Sequence, residues 1–95
     1  PQERIPAVHI AGTKGKGSTA AMLAAMLQTA GVTTGLFTSP HVEAYEERMT
    51  VNDRRPTAAE IVRFIERLRP AVERVDREFE TQGPTFFELT TALGW

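Results

Sequence analysis

Residues 12–18 read Gly12-Thr13-Lys14-Gly15-Lys16-Gly17-Ser18, a combination of residue types suited to holding a chain of phosphates. Glycine lets the backbone turn tightly and brings N–H groups close to an anion. Lys16 can reach phosphate oxygens as a point charge, and Ser18 offers a hydroxyl to a phosphate or to Mg2+. The same composition also describes a flexible glycine turn with solvated lysines. What favours the phosphate reading is the position of the loop, between an apolar run and an amphipathic one. The common pattern GxxxxGK[ST] is not met. Ile10 stands where its first glycine belongs and Gly17 directly follows Lys16, so the hydroxyl arrives one residue late, at Ser18. A generic kinase or GTPase is disfavoured accordingly.

Other candidates lie further along. Ser39, before Pro40, reads by itself as turn chemistry. Glu88, three residues after Thr85, reads by itself as the acidic half of a capping box. His41 is a loop histidine in reach of a substrate role, although a lone loop histidine is more often a surface or hydrogen-bonded residue. His9 reads as structural. Glu46, Glu47 and Arg48 form a charge run that either lines a substrate groove or is simply a solvated face. Arg63, Arg67, Arg74 and Arg77 alternate with glutamates and read as surface pairs. No residue is an obvious general base for an amine.

These residues need elements to position them. Ile5 to Ala11 is short, apolar and rich in β-branched residues, which predicts a strand buried on both faces. Met22, Leu23, Met26, Leu27 and Ala30 recur at helical spacing, so a helix is expected from Ser18 to Ala30, closed by a left-handed Gly31. Thr33 to Thr38 reads as a second strand. Strand, helix, strand in this order predicts a right-handed crossover and a parallel pair. After a polar loop from Ser39 to Glu47, the stretch Arg48 to Pro56 reads as a small hairpin turning at Asn52-Asp53. Thr57 and Glu60 form a capping box for a helix whose apolar stripe is Ile61, Phe64, Ile65, Leu68, Val72, Val75 and Phe79. Pro70 lies inside that stripe and predicts a kink or break. Gln82-Gly83-Pro84 is a loop, and a last helix starts at Thr85. The expected class is α/β: a phosphate-loop-type parallel sheet with flanking helices.

The chain has 95 residues and a formal net charge of -1. That length allows one modest core, and that charge argues against sequence-independent nucleic-acid binding. The absence of cysteine excludes disulfide frameworks and thiolate zinc sites. Two histidines far apart in sequence argue against a histidine-rich metal cluster. No apolar run approaches membrane-spanning length, so no membrane partner is expected and a cytoplasmic protein fits.

GTKGKGS after an apolar strand resembles the nucleotide loop of the Mur-ligase superfamily. Its Gly17-Ser18 ending is similar to the folylpolyglutamate synthase and dihydrofolate synthase branch, where the loop is usually written GTNGKGS; Lys14 takes the place of the commonest Asn. The resemblance continues through Thr38-Ser39-Pro40-His41, Glu47-Arg48-Met49, the hairpin, and Thr85-Phe86-Phe87-Glu88, in the family's order. It implies that Thr13, Gly15, Lys16, Gly17 and Ser18 bind ATP, with Lys16 acting in catalysis, and that Ser39 and Glu88 bind Mg2+ beside the phosphates. Hydroxyl and carboxylate oxygens suit such a hard cation. It implies an enzyme that joins L-glutamate to a reduced folate, or to dihydropteroate, through an acyl phosphate. A cell-wall Mur ligase and a non-catalytic ATP-sensing module are the alternatives. The chain begins Pro1-Gln2-Glu3 and ends inside the apolar run Leu93-Gly94-Trp95. Residues 1–95 are therefore expected to be the N-terminal part of the Mur-ligase central domain, which binds ATP, without the C-terminal glutamate-ligase domain.

Overall fold

A computed structural model describes residues 3–40, 43–79 and 83–95. The chain divides into two units, Pro1–Pro56 and Thr57–Trp95. The first holds helix α1 (Lys16–Thr29), strand β1 (Gly35–Phe37), a short 3-10 helical turn (Tyr45–Arg48) and strand β2 (Met49–Val51); the second holds helices α2 (Ala58–Glu78) and α3 (Phe86–Gly94).

α1 starts and stops on glycines. Gly15 precedes it at φ 75° and Gly31 follows it at φ 81°. The helix end is closed as a Schellman motif. The N–H of Gly31 donates to the Gln28 carbonyl at 2.9 Å and that of Val32 to the Leu27 carbonyl at 3.0 Å, satisfying two carbonyls that the helix itself leaves open. The expected glycine cap is thus present, and the helix begins two residues earlier than its apolar spacing suggests.

Among the described residues the sheet has two strands, and they run antiparallel: Gly35 faces Val51, Leu36 faces Thr50 and Phe37 faces Met49. The parallel pair expected between the run at Ile5–Ala11 and Thr33–Thr38 is not formed. Residues 6–12 carry neither helix nor strand, and Val8 is 71% exposed. A strand buried on both faces needs neighbours that take up its N–H and C=O groups, and no described strand pairs with this run. The β-branched composition records a tendency to be extended, and pairing needs a partner as well.

The hairpin reading is half right. Asn52 and Asp53 both adopt positive φ, 48° and 61°, as a two-residue type I′ turn requires. Val51 and Arg54 exchange backbone bonds across it at 3.1 and 3.0 Å. Beyond that bridge β2 pairs with β1 and not with residues 54–56. Asn52 also continues the β1–β2 ladder. Its N–H donates to the Thr34 carbonyl at 3.0 Å, and its side-chain Oδ1 accepts from the Thr34 N–H at 2.9 Å, where a strand carbonyl would otherwise sit. Asn52→Ala removes that acceptor, leaves a part-buried N–H without it, and puts alanine at positive φ. The expected loss is about 1–3 kcal/mol, with a smaller loss for Asn52→Asp, which keeps an acceptor and tolerates the turn. Denaturant unfolding of the intact protein compares the two.

In the second unit both capping boxes form as expected. Thr57 Oγ1 accepts from the Glu60 N–H at 3.2 Å while Glu60 Oε2 accepts from the Thr57 N–H at 2.8 Å. α2 then runs unbroken through Pro70, so of the kink or break expected there the break does not occur. Proline removes one hydrogen bond locally, whereas Ile61, Leu68, Val72 and Val75 on either side share one stripe that a break would split. Burial is shallow. Ala24 and Met49 in the first unit and Ile61 and Thr90 in the second are buried, while Met22, Met26, Phe64, Ile65, Phe86 and Phe87 remain exposed. No described helix is long and apolar enough to cross a membrane.

Candidate nucleotide and cation site

The loop at 12–15 delivers the chain into the first turn of α1. Gly15, in left-handed conformation, is the N-cap residue, and no side chain caps the helix. The first backbone bond runs from the Thr19 N–H to the Gly15 carbonyl, at 2.9 Å. The N–H groups of Lys16, Gly17 and Ser18 therefore have no acceptor among the described residues. The first turn contains no acidic residue that would neutralise the positive end of the helix dipole. Exposed N–H groups and an uncompensated dipole meet at the start of the helix, which is the arrangement that attracts a phosphate. Thr13, Gly15, Lys16, Gly17 and Ser18 are all exposed there. The Lys16 side chain folds back over the loop: a Cβ added to Gly12 would lie 3.9 Å from its Cγ.

The two inner glycines of the loop differ. A Cβ at either Gly15 or Gly17 would meet nothing within 4 Å, so sterics decide neither, but only Gly15 has positive φ. Gly15→Ala should cost about 1–2 kcal/mol in backbone strain, whereas Gly17→Ala, already helical, should not lower stability. Thermal unfolding of the two variants in the intact protein makes the comparison.

Ser39 follows β1. Antiparallel pairing carries the strands one step further, with the Thr38 N–H donating to the Arg48 carbonyl at 2.8 Å. Arg48 Nη1 donates to Ser39 Oγ at 3.3 Å. Arg48 is 7% exposed and its guanidinium lies 5.8 Å from the centroid of the Tyr45 ring, within cation–π range. Glu47 closes its own turn: its two carboxylate oxygens accept from the Ala44 and Glu43 N–H groups at 3.2 and 3.4 Å. Arg55 lies 3.7 Å from the same carboxylate. Arg48 is buried and Glu47 mostly so, so the solvated face that a charge run suggests does not describe these two residues. The signal available in the sequence was Tyr45 three residues before an arginine at the head of a strand. His41 lies outside the described residues.

Glu88 belongs to the second unit. Its Oε2 accepts from both the Thr85 N–H and the Thr85 Oγ1, each at 2.7 Å, and its own N–H donates to Thr85 Oγ1 at 3.3 Å. The hydroxyl bond, followed by the backbone bond, holds its carboxyl below the usual glutamate range. The carboxylate is exposed, and Oε1 has no partner among the described residues. The capping box is real, then, and leaves one oxygen open. Among the described residues no group of three His, Cys, Asp or Glu could hold a metal ion. The open carboxylate oxygen of Glu88 is of the kind that suits a hard cation taking most of its ligands from water.

No protein-family model matches the chain. Its whole length aligns at 44% identity with the dihydrofolate synthase/folylpolyglutamate synthase of Bacillus subtilis (strain 168), covering 22% of that protein. In three dimensions it matches Mycobacterium tuberculosis folylpolyglutamate synthase solved with ADP, with a TM-score of 0.94 and 32% identity over 98% of this chain and 21% of that one. By sequence and fold, this chain is similar to folylpolyglutamate synthases and dihydrofolate synthases over nearly all of its own length. A folylpolyglutamate synthase solved with AMPPCP and folate also matches, with a TM-score of 0.80 and 36% identity over 87% of this chain and 20% of that one. The chain spans about a fifth of the length of these folylpolyglutamate synthases. The α/β class expected from the sequence is the class of the family, although the described residues contribute an antiparallel pair to it.

Proposed function

We propose that the intact protein is an ATP-dependent ligase that joins L-glutamate to a reduced folate, and that residues 1–95 supply the N-terminal part of its ATP-binding domain. The observation that carries this reading is the open, acid-free start of α1 behind Gly15, in a chain whose fold matches relatives solved with ADP and with AMPPCP and folate. The double name of the Bacillus subtilis relative supports dihydropteroate as a second acceptor. ATP and Mg2+ are the proposed cofactors, the partners are small molecules only, and a cytoplasmic location is the proposed setting.

The chemistry follows from the reactants. A carboxylate does not react with an amine at neutral pH, so it must first be activated. A folate carboxylate oxygen attacks the γ-phosphorus of ATP, the bond to the β-phosphate oxygen breaks, and ADP leaves. The glutamate amine then attacks the acyl carbon and, after losing a proton, expels inorganic phosphate from the tetrahedral adduct. In the first step the N–H groups of Lys16, Gly17 and Ser18 hold the phosphates and Lys16 neutralises the charge gathering on the transferred group. Ser39 and Glu88 would hold Mg2+, which supplies further neutralisation of phosphate charge.

The test is ADP release by the purified intact protein with ATP and Mg2+, adding folate, glutamate, both or neither. Release only with both supports the reading. Glutamate-independent hydrolysis would move the protein to an ATP-sensing module, and a requirement for a UDP-sugar peptide would move it to the cell-wall ligases.

A further inference from the structure

Ser39 is exposed, and a serine hydroxyl free in water samples three rotamers. Its single hydrogen bond among the described residues comes from Arg48 Nη1, at 3.3 Å. Arg48 is itself held firmly. It is 7% exposed, its guanidinium lies against Tyr45, and its carbonyl is tied to the end of β1 through the Thr38 N–H. A fixed donor therefore meets a side chain with no other anchor.

We propose that Arg48 is a positioning residue that sets the Ser39 hydroxyl for cation binding. This rests on the reading of Ser39 as a Mg2+ ligand. The stereochemistry suits it. Arginine only donates, so it takes one of the two lone pairs of Oγ and leaves the other lone pair, together with the hydroxyl hydrogen, facing elsewhere. The remaining lone pair is the one a cation uses, and the hydrogen is then free for a phosphate oxygen. The guanidinium charge next to Oγ opposes a bare cation, so the arrangement favours a cation that arrives already paired with the phosphates. A buried arginine in a charge run thus acquires a task that neither the loop nor the cap performs.

The experiment is a Mg2+ titration of nucleotide binding to the intact protein, with thermal unfolding of the ligand-free form as a control for folding. Arg48→Lys keeps the charge and loses the planar fork. The half-saturating Mg2+ concentration should rise about three- to tenfold, the cost of one hydrogen bond, while affinity at saturating Mg2+ changes little. Ser39→Ala should raise it at least as much. In the double variant Arg48→Lys should add nothing further, because its effect passes through a hydroxyl that is no longer there. Effects that multiply in the double variant would show Arg48 acting independently and overturn the proposal, as would an Arg48→Lys titration matching that of the unaltered protein. If Ser39→Ala leaves the titration unmoved, the cation reading of Ser39 falls as well. That outcome is distinct from loss of the Arg48 effect alone.

Discussion

Lys16→Ala in the intact protein should lower ATP-dependent turnover by about ten- to a hundredfold or more while leaving the fold in place. A charge-assisted hydrogen bond to phosphate contributes roughly 1.5–3 kcal/mol, and about 1.4 kcal/mol corresponds to tenfold in rate. The effect should fall on kcat as well as on kcat/KM, because the charge on the transferred phosphoryl group is greatest in the transition state. Unfolding should change little, since Lys16 is exposed and alanine favours the helix it begins. Lys14→Ala is the control: it removes an equal charge two residues away, at a position that is usually Asn in the family, and should matter less. Near-normal turnover with Lys16→Ala would remove the phosphate-loop assignment.

Glu88→Gln should raise the Mg2+ concentration needed for half-maximal turnover by about tenfold or more if the proposed role of its carboxylate in cation binding holds, since that carboxylate loses its charge. The cap should survive, because the glutamine side-chain oxygen can still accept from the Thr85 N–H that Glu88 now engages at 2.7 Å. The pH dependence supplies a second check. The Thr85 bonds lower the Glu88 pKa, so its contribution to the cap is fully present above the usual glutamate range. It is lost as pH falls through the lowered value. Acid weakening of Mg2+ binding at Glu88 should begin below the usual glutamate range and be absent in Glu88→Gln. An unchanged Mg2+ requirement would leave Glu88 as a cap alone.

The features legible in the sequence are those decided within a few residues. Thr57 with Glu60, Thr85 with Glu88, Gly31 after α1 and Asn52-Asp53 in the turn each state a local hydrogen-bond or φ requirement, and each is met. Features decided at a distance were not legible. The strand that pairs with Gly35–Phe37 is Met49–Val51, and nothing in either run names the other. The run at 5–11 is suited to a strand, yet its partner is not written into it. Pro70 signals a kink or a break by a local rule, and α2 continues through it without a break. Near the candidate site, the glycine turn into α1 was legible because consecutive residues build it. The setting of Arg48 was not, because its burial depends on the ladder that brings it beside Ser39.

The three leading N–H groups of α1 have a further consequence. A backbone amide exchanges its hydrogen with water when no acceptor holds it. Lys16, Gly17 and Ser18 should therefore take up deuterium quickly in the ligand-free protein, although they belong to a helix whose later amides are bonded to carbonyls one turn back. An anion seated on them would slow that uptake at these residues first. The start of the helix thus carries an isotopic record of its own occupancy, readable by mass spectrometry without turnover and without an added label on the nucleotide.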